Sequence, residues 1–441
     1  MNQRTVRQNN WVRGEMQHIF RSLRYRNFRL FFGGQSISLV GTWIQRIAMP
    51  WLVYDLTNSV VLLGIVGFAG QIPTFILASY AGVIVDRRNR YRILIATQVF
   101  AMIQALTLAA LVFSGSIQVW HIVLLSVVLG LINAFDMPAR QSFMVEMVEK
   151  KEDLGNAIAL NSTMVNGARL LGPSIAGVLI SVAGEGTCFL INGVSYILVI
   201  LSLFNMRIVP KERKLKSSKM ITELKEGFEY TFGFKPIRFI ILLLALVSLM
   251  GMPYSVLMPV YAKEILHGSS HTFGFLMGAS GFGALSGALY LASRRNVAGL
   301  EKLIPVSASI FGVGLILLSV SRVFWLASLV MILTGAGMML VMASSNTVIQ
   351  TIIDDSKRGR VMSFYAMAFM GTAPFGSLLA GSLAKVIGTP MTLAFGGISC
   401  IIGAVFYFRK RQVMQEHIQP VYKKLGILKE NTSNNQTGPT P

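Results

Sequence analysis

The run Gly82-Val83-Ile84-Val85-Asp86-Arg87-Arg88-Asn89-Arg90-Tyr91-Arg92 places one carboxylate beside four guanidinium groups at the end of an apolar stretch. An ionised donor and acceptor form hydrogen bonds roughly twice as strong as neutral ones. Such bonds can be made and broken as two bodies move past each other. Gly82 lets a second helix come close at that point. Asp136 ends a later apolar stretch on the same side, with Arg140 just beyond it. Gly82, Asp86, Arg87, Arg90, Asp136 and Arg140 are therefore expected to form a gating cluster that holds an outward-open state. The plainer reading of these residues is a row of basic anchors with a capping aspartate.

Two more arginines, Arg46 and Arg169, stand inside apolar stretches. A mid-membrane arginine costs at least about 2.5 kcal/mol, so it faces a cavity or a partner. Arg46 is nearer one end and can also snorkel toward water. With Gln35, Thr42, Asn161 and Asn166 these arginines are the candidate substrate cavity, and Gln45 is a further neighbour. Either the arginines meet a ligand, or carbonyls and amides lock them as packing elements. Asp55, Glu185 and Glu264 fall at one end of their stretches, and Asp86 and Asp136 at the other. Proton-coupled carriers often use a membrane carboxylate whose pKa burial has raised, so proton coupling has no assigned residue here. A cavity with arginines and without acids suits an anionic or electron-rich small molecule such as a catecholate. Ala168, Gly172, Pro173, Ala176 and Gly177 share one apolar stretch. Small residues at that spacing form a groove for a neighbouring helix, and the proline frees a carbonyl and bends its own helix.

The elements that hold these residues are read from composition. Hydrophobic residues are 53% of the chain and charged residues 13%, about half the charged share of a soluble domain. A spanning helix takes about 20 apolar residues. Such stretches run over 28–53, 60–85, 93–113, 119–136, 157–181, 186–206, 237–261, 272–292, 303–321, 323–345, 361–387 and 389–408. Backbone groups in hydrocarbon must bond within their own segment, which leaves helices. The expectation is an all-α membrane protein of twelve transmembrane helices, embedded in a lipid bilayer.

Lys and Arg number 40 against 19 Asp and Glu. Of the 40, 35 fall in the termini and even-numbered connections, and only Lys263, Arg322 and Lys385 in the odd-numbered ones. The excess of Lys and Arg on cytoplasmic loops puts both termini in the cytoplasm, with the chain multi-pass in a bacterial inner membrane. The net charge of +21 then speaks for topology and not for nucleic acid.

Residues 1–27 form a cytoplasmic arm, 28–206 a six-helix half, 207–236 a cytoplasmic linker, 237–408 a second half and 409–441 a disordered tail. The halves echo each other: Met49-Pro50 matches Met258-Pro259, Asp86-Arg87-Arg88 matches Ser293-Arg294-Arg295, and Pro173 matches Pro374. Such an offset marks a parallel repeat of two six-helix halves that rock about a central cavity.

Other features carry structure and not chemistry. Cys188 and Cys400 lie in apolar segments, and five scattered histidines make no metal pattern. No P-loop appears, so direct ATP use is not expected. No cofactor is expected, nor a removable signal peptide. Trp11, Trp120 and Trp325 are interface anchors, and the 23 methionines fill the core or line a tolerant cavity. Glu146, Glu149, Lys150, Lys151, Glu152 and Asp153 are a solvated charge run. A membrane enzyme would need clustered nucleophile, base or metal residues in the spans, and the readings above supply none.

The glycine, Asp86-Arg87 and following basic residues resemble the signature loop of the major facilitator superfamily, with Asn89 where that pattern usually has glycine. The stretches Ala134-Phe135-Asp136-Met137-Pro138-Ala139-Arg140-Gln141, Asn156-Ala157-Ile158-Ala159-Leu160-Asn161-Ser162, Ala168-Arg169-Leu170-Leu171-Gly172-Pro173 and Arg358-Gly359-Arg360-Val361-Met362-Ser363 resemble its branch of enterobactin exporters and related multidrug and macrolide exporters. The resemblance covers nearly the whole chain apart from both tails. It implies the major facilitator fold, a monomer, and secondary active export of a siderophore-like or drug-like small molecule by alternating access, with proton antiport as the coupling candidate. The stretch from Ala168 to Gly177 is similar to the antiporter motif of that superfamily, with alanine at two of its glycines. An importer or lipid flippase of the same fold is the alternative. Relatives in this branch often carry an acid where Thr42 stands, and the usual arginine of the fourth span is absent.

Overall fold

The computed structural model describes residues 20–207, 220–294, 296–354 and 357–427, without the side chains of Ala78, Ser79, Asp86, Lys151 and residues 220–224. Among the described residues every regular element is a helix. We number them α1 (Arg26–Thr57), α2 (Val60–Arg87), α3 (Arg90–Phe113), α4 (Val119–Met144), α5 (Leu154–Phe204) and α6 (Met220–Gly233). There follow α7 (Lys235–Ile265), α8 (Ser270–Ser293), α9 (Leu300–Val320), α10 (Phe324–Ile352), α11 (Arg358–Ile387), α12 (Thr389–Arg409) and α13 (Arg411–Lys424). Ten of them are long and apolar enough to cross a membrane; α1, α6 and α13 are not among the ten.

Local sequence sets where these helices break. At Gly184 the backbone takes φ 75° and ψ 170°, a conformation open to glycine and strained for other residues, so α5 runs as two rods over 154–183 and 185–204. Helix α7 contains π turns at Val247–Gly251 and Tyr261–Ile265, and α11 one at Met367–Gly371. The first lies just before Pro253 and the last just before Pro374, where a missing N–H already interrupts the ladder.

Two packed sets result. In the first, α1 lies along α5, α2 along α4, and α3 against both α4 and α5; in the second, α10 packs on α8 and α9, and α9 on α12. The sets meet along two seams, α5 with α8 and α2 with α11. Both seams are backbone against backbone. A Cβ added at Gly274 would lie 2.6 Å from the Cα of Gly177 and 2.6 Å from the carbonyl of Pro173. One added at Gly64 would lie 2.6 Å from the carbonyl of Ser377 and 3.2 Å from the Cα of Gly381. Aromatic rings extend the contact: Trp51 stacks on Phe273 at 6.0 Å, and Phe375 meets Phe68 and Phe75 edge-on. All of these contacts lie between mid-depth and the end of the bundle at Thr57 and Ser270, called the far end here. The other end, where most Lys and Arg gather, is the basic end. There the first set has its own apolar cluster around Phe28, Phe31, Val85, Leu94 and Phe143.

Two expectations need correction, those for the tail and the charge run, and the linker adds an element. The tail was expected to be disordered from 409 on, yet Arg411–Lys424 is a helix that buries Met414, Ile418 and Tyr422. These three, four residues apart, form one apolar stripe in an otherwise polar stretch. The linker contains α6, which docks on the start of α11 through Phe228, Phe232 and Phe364 and an Arg360–Glu226 ion pair. Among the described side chains of the charge run Glu149, Lys150 and Glu152 are exposed; Asp153 is 3% exposed and Glu146 pairs with Arg90. Residues 1–19 and 428–441 lie outside the described residues, and with them Trp11.

The seams yield a stability test. Gly274→Val sets a side chain against backbone that cannot rotate away, and overpacking costs about 1–3 kcal/mol. A lowered melting temperature in detergent is expected. Gly82→Ala meets nothing within 4 Å and should stay within about 0.5 kcal/mol of the parent.

Candidate functional site

The interior site is built on α1 and α5. Gly172 lets these helices touch, since a Cβ there would sit 2.4 Å from the Cβ of Trp43. Ala168 packs with Leu39 and Met164 beside the same tryptophan. Trp43 then carries two cations: the guanidinium carbon of Arg46 is 5.0 Å from its ring centroid, and that of Arg169 is 5.7 Å. Arg46 is exposed and Arg169 half-buried. An Nη of Arg169 reaches across to the second set, 3.8 Å from the sulfur of Met338 on α10. Tyr254 of α7, hydrogen-bonded at 2.9 Å to Ser280, lies within electrostatic range of Arg169. A guanidinium stacked on an indole keeps its in-plane N–H groups free for acceptors.

The other cavity candidates divide. Thr42 donates back to the carbonyl of Ser38 at 2.9 Å, and Asn166 to that of Ser162 at 2.9 Å. Asn161 is half-exposed, while Gln35 is buried. Gln45 belongs to a buried amide chain: it donates to Gln104 at 3.1 Å and accepts from Asn192 at 2.7 Å. That chain ties α1, α3 and the second rod of α5 together. Its partners carry no sequence signal beyond being amides in apolar stretches.

Of the motif on α5, Gly172 and Ala168 face α1, while Pro173 and Gly177 face α8; Ala176 is wholly buried. The motif thus lies between the cavity helix and the seam.

At the basic end two ion pairs are described in this conformation. Asp136, 2% exposed, accepts from Thr97 at 2.9 Å and Gln98 at 2.7 Å, and pairs with Arg140 one turn away. Arg90 donates to Glu146 and to the carbonyl of Ser142, both at 3.2 Å. Helical spacing of four residues brings Arg140 within reach of Asp136. Arg87 is exposed, and the side chain of Asp86 lies outside the described residues. Asn89 caps α3, accepting from the amides of Tyr91 and Arg92 at 3.0 and 3.3 Å. Gly82 has no close neighbour, so the helix approach expected there is not made in this conformation.

The same end holds a second cluster. Asp153 accepts from the hydroxyl of Tyr25 at 2.6 Å and pairs with Arg24 and Arg21. The Tyr25 hydrogen bond, then the charges of Arg24 and Arg21, hold its carboxyl below the usual carboxylate range against the opposing effect of burial.

The far end is closed by a latch absent from the sequence reading. Tyr54 donates to Glu264, Lys263 donates to Asp55 at 2.8 Å, and Lys263 lies over the Tyr54 ring. Ser181 bonds His271, and Ser270 donates to the carbonyl of Gly177 at 3.1 Å.

This arrangement is that of a transporter. The chain superposes on a bacterial homolog of the human lysosomal transporter Spinster, in an inward-facing and unoccupied conformation, with a TM-score of 0.70 at 16% identity, over 89% of this chain and 98% of that one. A bacterial homologue of the iron transporter ferroportin, inward-facing, gives 0.65 at 17% identity, over 87% and 98%. The fold is therefore one shared with these two transporters. Residues 18–439 match the family of transmembrane secretion effectors, and the chain belongs to that family. The staphyloferrin A transporter of Staphylococcus aureus is 27% identical over 387 residues, 87% of this chain and 96% of that protein. Macrolide efflux protein A of Streptococcus pyogenes is 22% identical over 86% and 96%. The multidrug efflux pump Tap of Mycolicibacterium fortuitum is 23% identical over 84% and 92%.

Two measurements follow. Cysteines at Asp55 and Lys263 should cross-link with a short bismaleimide and abolish transport until the linker is cleaved; cross-linking without loss of transport would remove the latch from the cycle. Asp153→Asn should lower stability at neutral pH. Because the native carboxyl titrates below its unfolded value of about 3.9, the difference from wild type should shrink as pH falls through that range. A pH-independent difference would mean that packing, not charge, holds the cluster.

Proposed function

We propose that this protein exports a small molecule by alternating access, and that the conformation described here is closed at the far end and open at the basic end. The observation that carries this reading is the pairing of the two glycine seams with the latch. Both hold the sets together from mid-depth to the far end, while Arg46 stays exposed and Trp43 and Arg169 only half-buried. A site between two bodies joined at one end is what a rocking carrier needs. Efflux, and not uptake, is favoured by the relatives named above and by the small-residue stretch from Ala168 to Gly177.

Twelve spans in two six-helix halves fit the same helices. At 1.5 Å per residue the 51 residues of α5 would extend about 75 Å, too long for one crossing of a hydrocarbon core about 30 Å thick. Its break at Gly184 supplies two spans. Helix α1 has 32 residues and falls outside the ten because it carries Arg26, Arg29, Gln35, Gln45, Arg46 and Asp55, as a cavity-lining helix would. With the basic end cytoplasmic, both termini lie inside the cell and the far end faces out. Gly82 and Asp86 then act in the opposite state, when the basic ends of the two halves close.

Expression in bacteria stripped of their major efflux pumps tests this. Retention of a panel of catecholate siderophores, macrolides and lipophilic cations should fall for at least one class, and Asp86→Asn and Arg169→Ala should restore it. Unchanged retention across the panel would argue against an exporter of these classes, and raised accumulation would make the protein an importer.

A further inference from the structure

We propose that Arg46 and Arg169 form a cradle for an organic anion, with Trp43 as its floor and Met338 as a placeholder for the anion's oxygen. The proposal rests on the open interior described above and names the substrate class of that site. Its first support is an unbalanced charge. Two guanidinium groups stand within 6 Å of one ring and within electrostatic range of each other. The acids whose ion pairs are resolved sit elsewhere: Asp55 with Lys263, Asp136 with Arg140, Glu146 with Arg90 and Asp153 with Arg24. Among the described residues neither Arg46 nor Arg169 has a carboxylate partner.

The second support is what Arg169 touches instead. Guanidinium offers five donors and no acceptor, and a thioether is a weak acceptor. A structural arginine would be met by carbonyls or carboxylates; here the partner across the seam is a sulfur at 3.8 Å. A carboxylate or catecholate oxygen at that position would accept two parallel bonds in the fork geometry arginine favours. It would also remove the repulsion between the two cations.

The third support is geometry. Both guanidinium carbons lie over the Trp43 ring, at 5.0 and 5.7 Å from its centroid, so one side chain gathers two cations whose N–H groups can converge on a single anion. Because Arg46 and Arg169 belong to the first set and Met338 to the second, an anion held here replaces a contact between the sets. Binding then bears directly on how the sets sit against each other.

The test is ligand-induced thermal stabilisation of the purified full-length protein in detergent. The probes are 2,3-dihydroxybenzoate and citrate, with tetraphenylphosphonium as the cationic counterpart. Wild type should be stabilised by at least one anion, saturably and less at high salt. Arg46→Gln and Arg169→Gln should each weaken that binding by about tenfold or more, the loss of one charge-assisted bond. Arg169→Lys should keep part of it. If Arg169→Gln fails to fold, Arg46→Gln and Arg169→Lys carry the comparison. Stabilisation by tetraphenylphosphonium alone, no stabilisation by either anion, or variants that bind like wild type would overturn the proposal. Binding is read without transport, so anion binding by a protein that exports nothing from cells would sink the export reading and leave the cradle standing.

Discussion

Backbone meets backbone where the two helix sets join, and most of the remaining architecture follows from that closeness. At Gly177–Gly274 and Gly64–Gly381 the helices approach until a single added methyl would overlap main-chain atoms. In hydrocarbon the hydrophobic effect gives helices little reason to associate, so close packing of small residues has to hold the seam. Smooth surfaces of this kind have no interlocking side chains, and they resist sliding less than ridges set in grooves would. The bending points lie beside the seams, in the π turns of α7 and α11. Gly172 extends the same economy of volume to α1 and so decides where Trp43, and with it both arginines, can stand.

Buried acids and the buried amide chain follow one rule, that each finds partners, although hydroxyls such as those of Ser307, Tyr407 and Tyr422 are buried without any. Asp136 has three partners, Asp153 has Tyr25 and two arginines, and the Gln45–Gln104–Asn192 chain passes hydrogen bonds from helix to helix. A buried polar group without partners is costly, and these networks meet that demand. The cradle departs from the rule, with two cations, one ring and one sulfur. Departures of this kind concentrate where a protein meets something other than itself.

The helices and the small-residue stretch were legible in the chain because both depend on local composition: apolar runs of spanning length, and small residues at helical spacing. Arg46 and Arg169 stood out for the same reason, as charges where charge is expensive. What escaped the reading depends on distance or context. Asp153 sits in a run of charges that looks solvated, and only its pairing with Tyr25, over a hundred residues earlier, shows it to be buried. Met414, Ile418 and Tyr422 are too few and too widely spaced to stand out from a polar tail. The pairing of Arg140 with Asp136 could be read from their spacing of four, whereas the partner of Arg90, Glu146, lies beyond the end of another helix.

The latch had a signal in the chain after all. Met49-Pro50 and Met258-Pro259 are corresponding points of the expected repeat, 209 residues apart. The same step carries Tyr54 onto Lys263 and Asp55 onto Glu264. One position thus holds a donor in both halves and the next an acceptor in both, and the contacts run crosswise, Tyr54 to Glu264 and Lys263 to Asp55. That is the pattern of an isologous interface, in which position i meets j and j meets i. Two identical six-helix chains related by a two-fold axis would close their far ends by the same pairing. A closure of this kind needs only the matched pair of positions on each side, which leaves the rest of both helix sets free to change, in the cavity included, without loosening it.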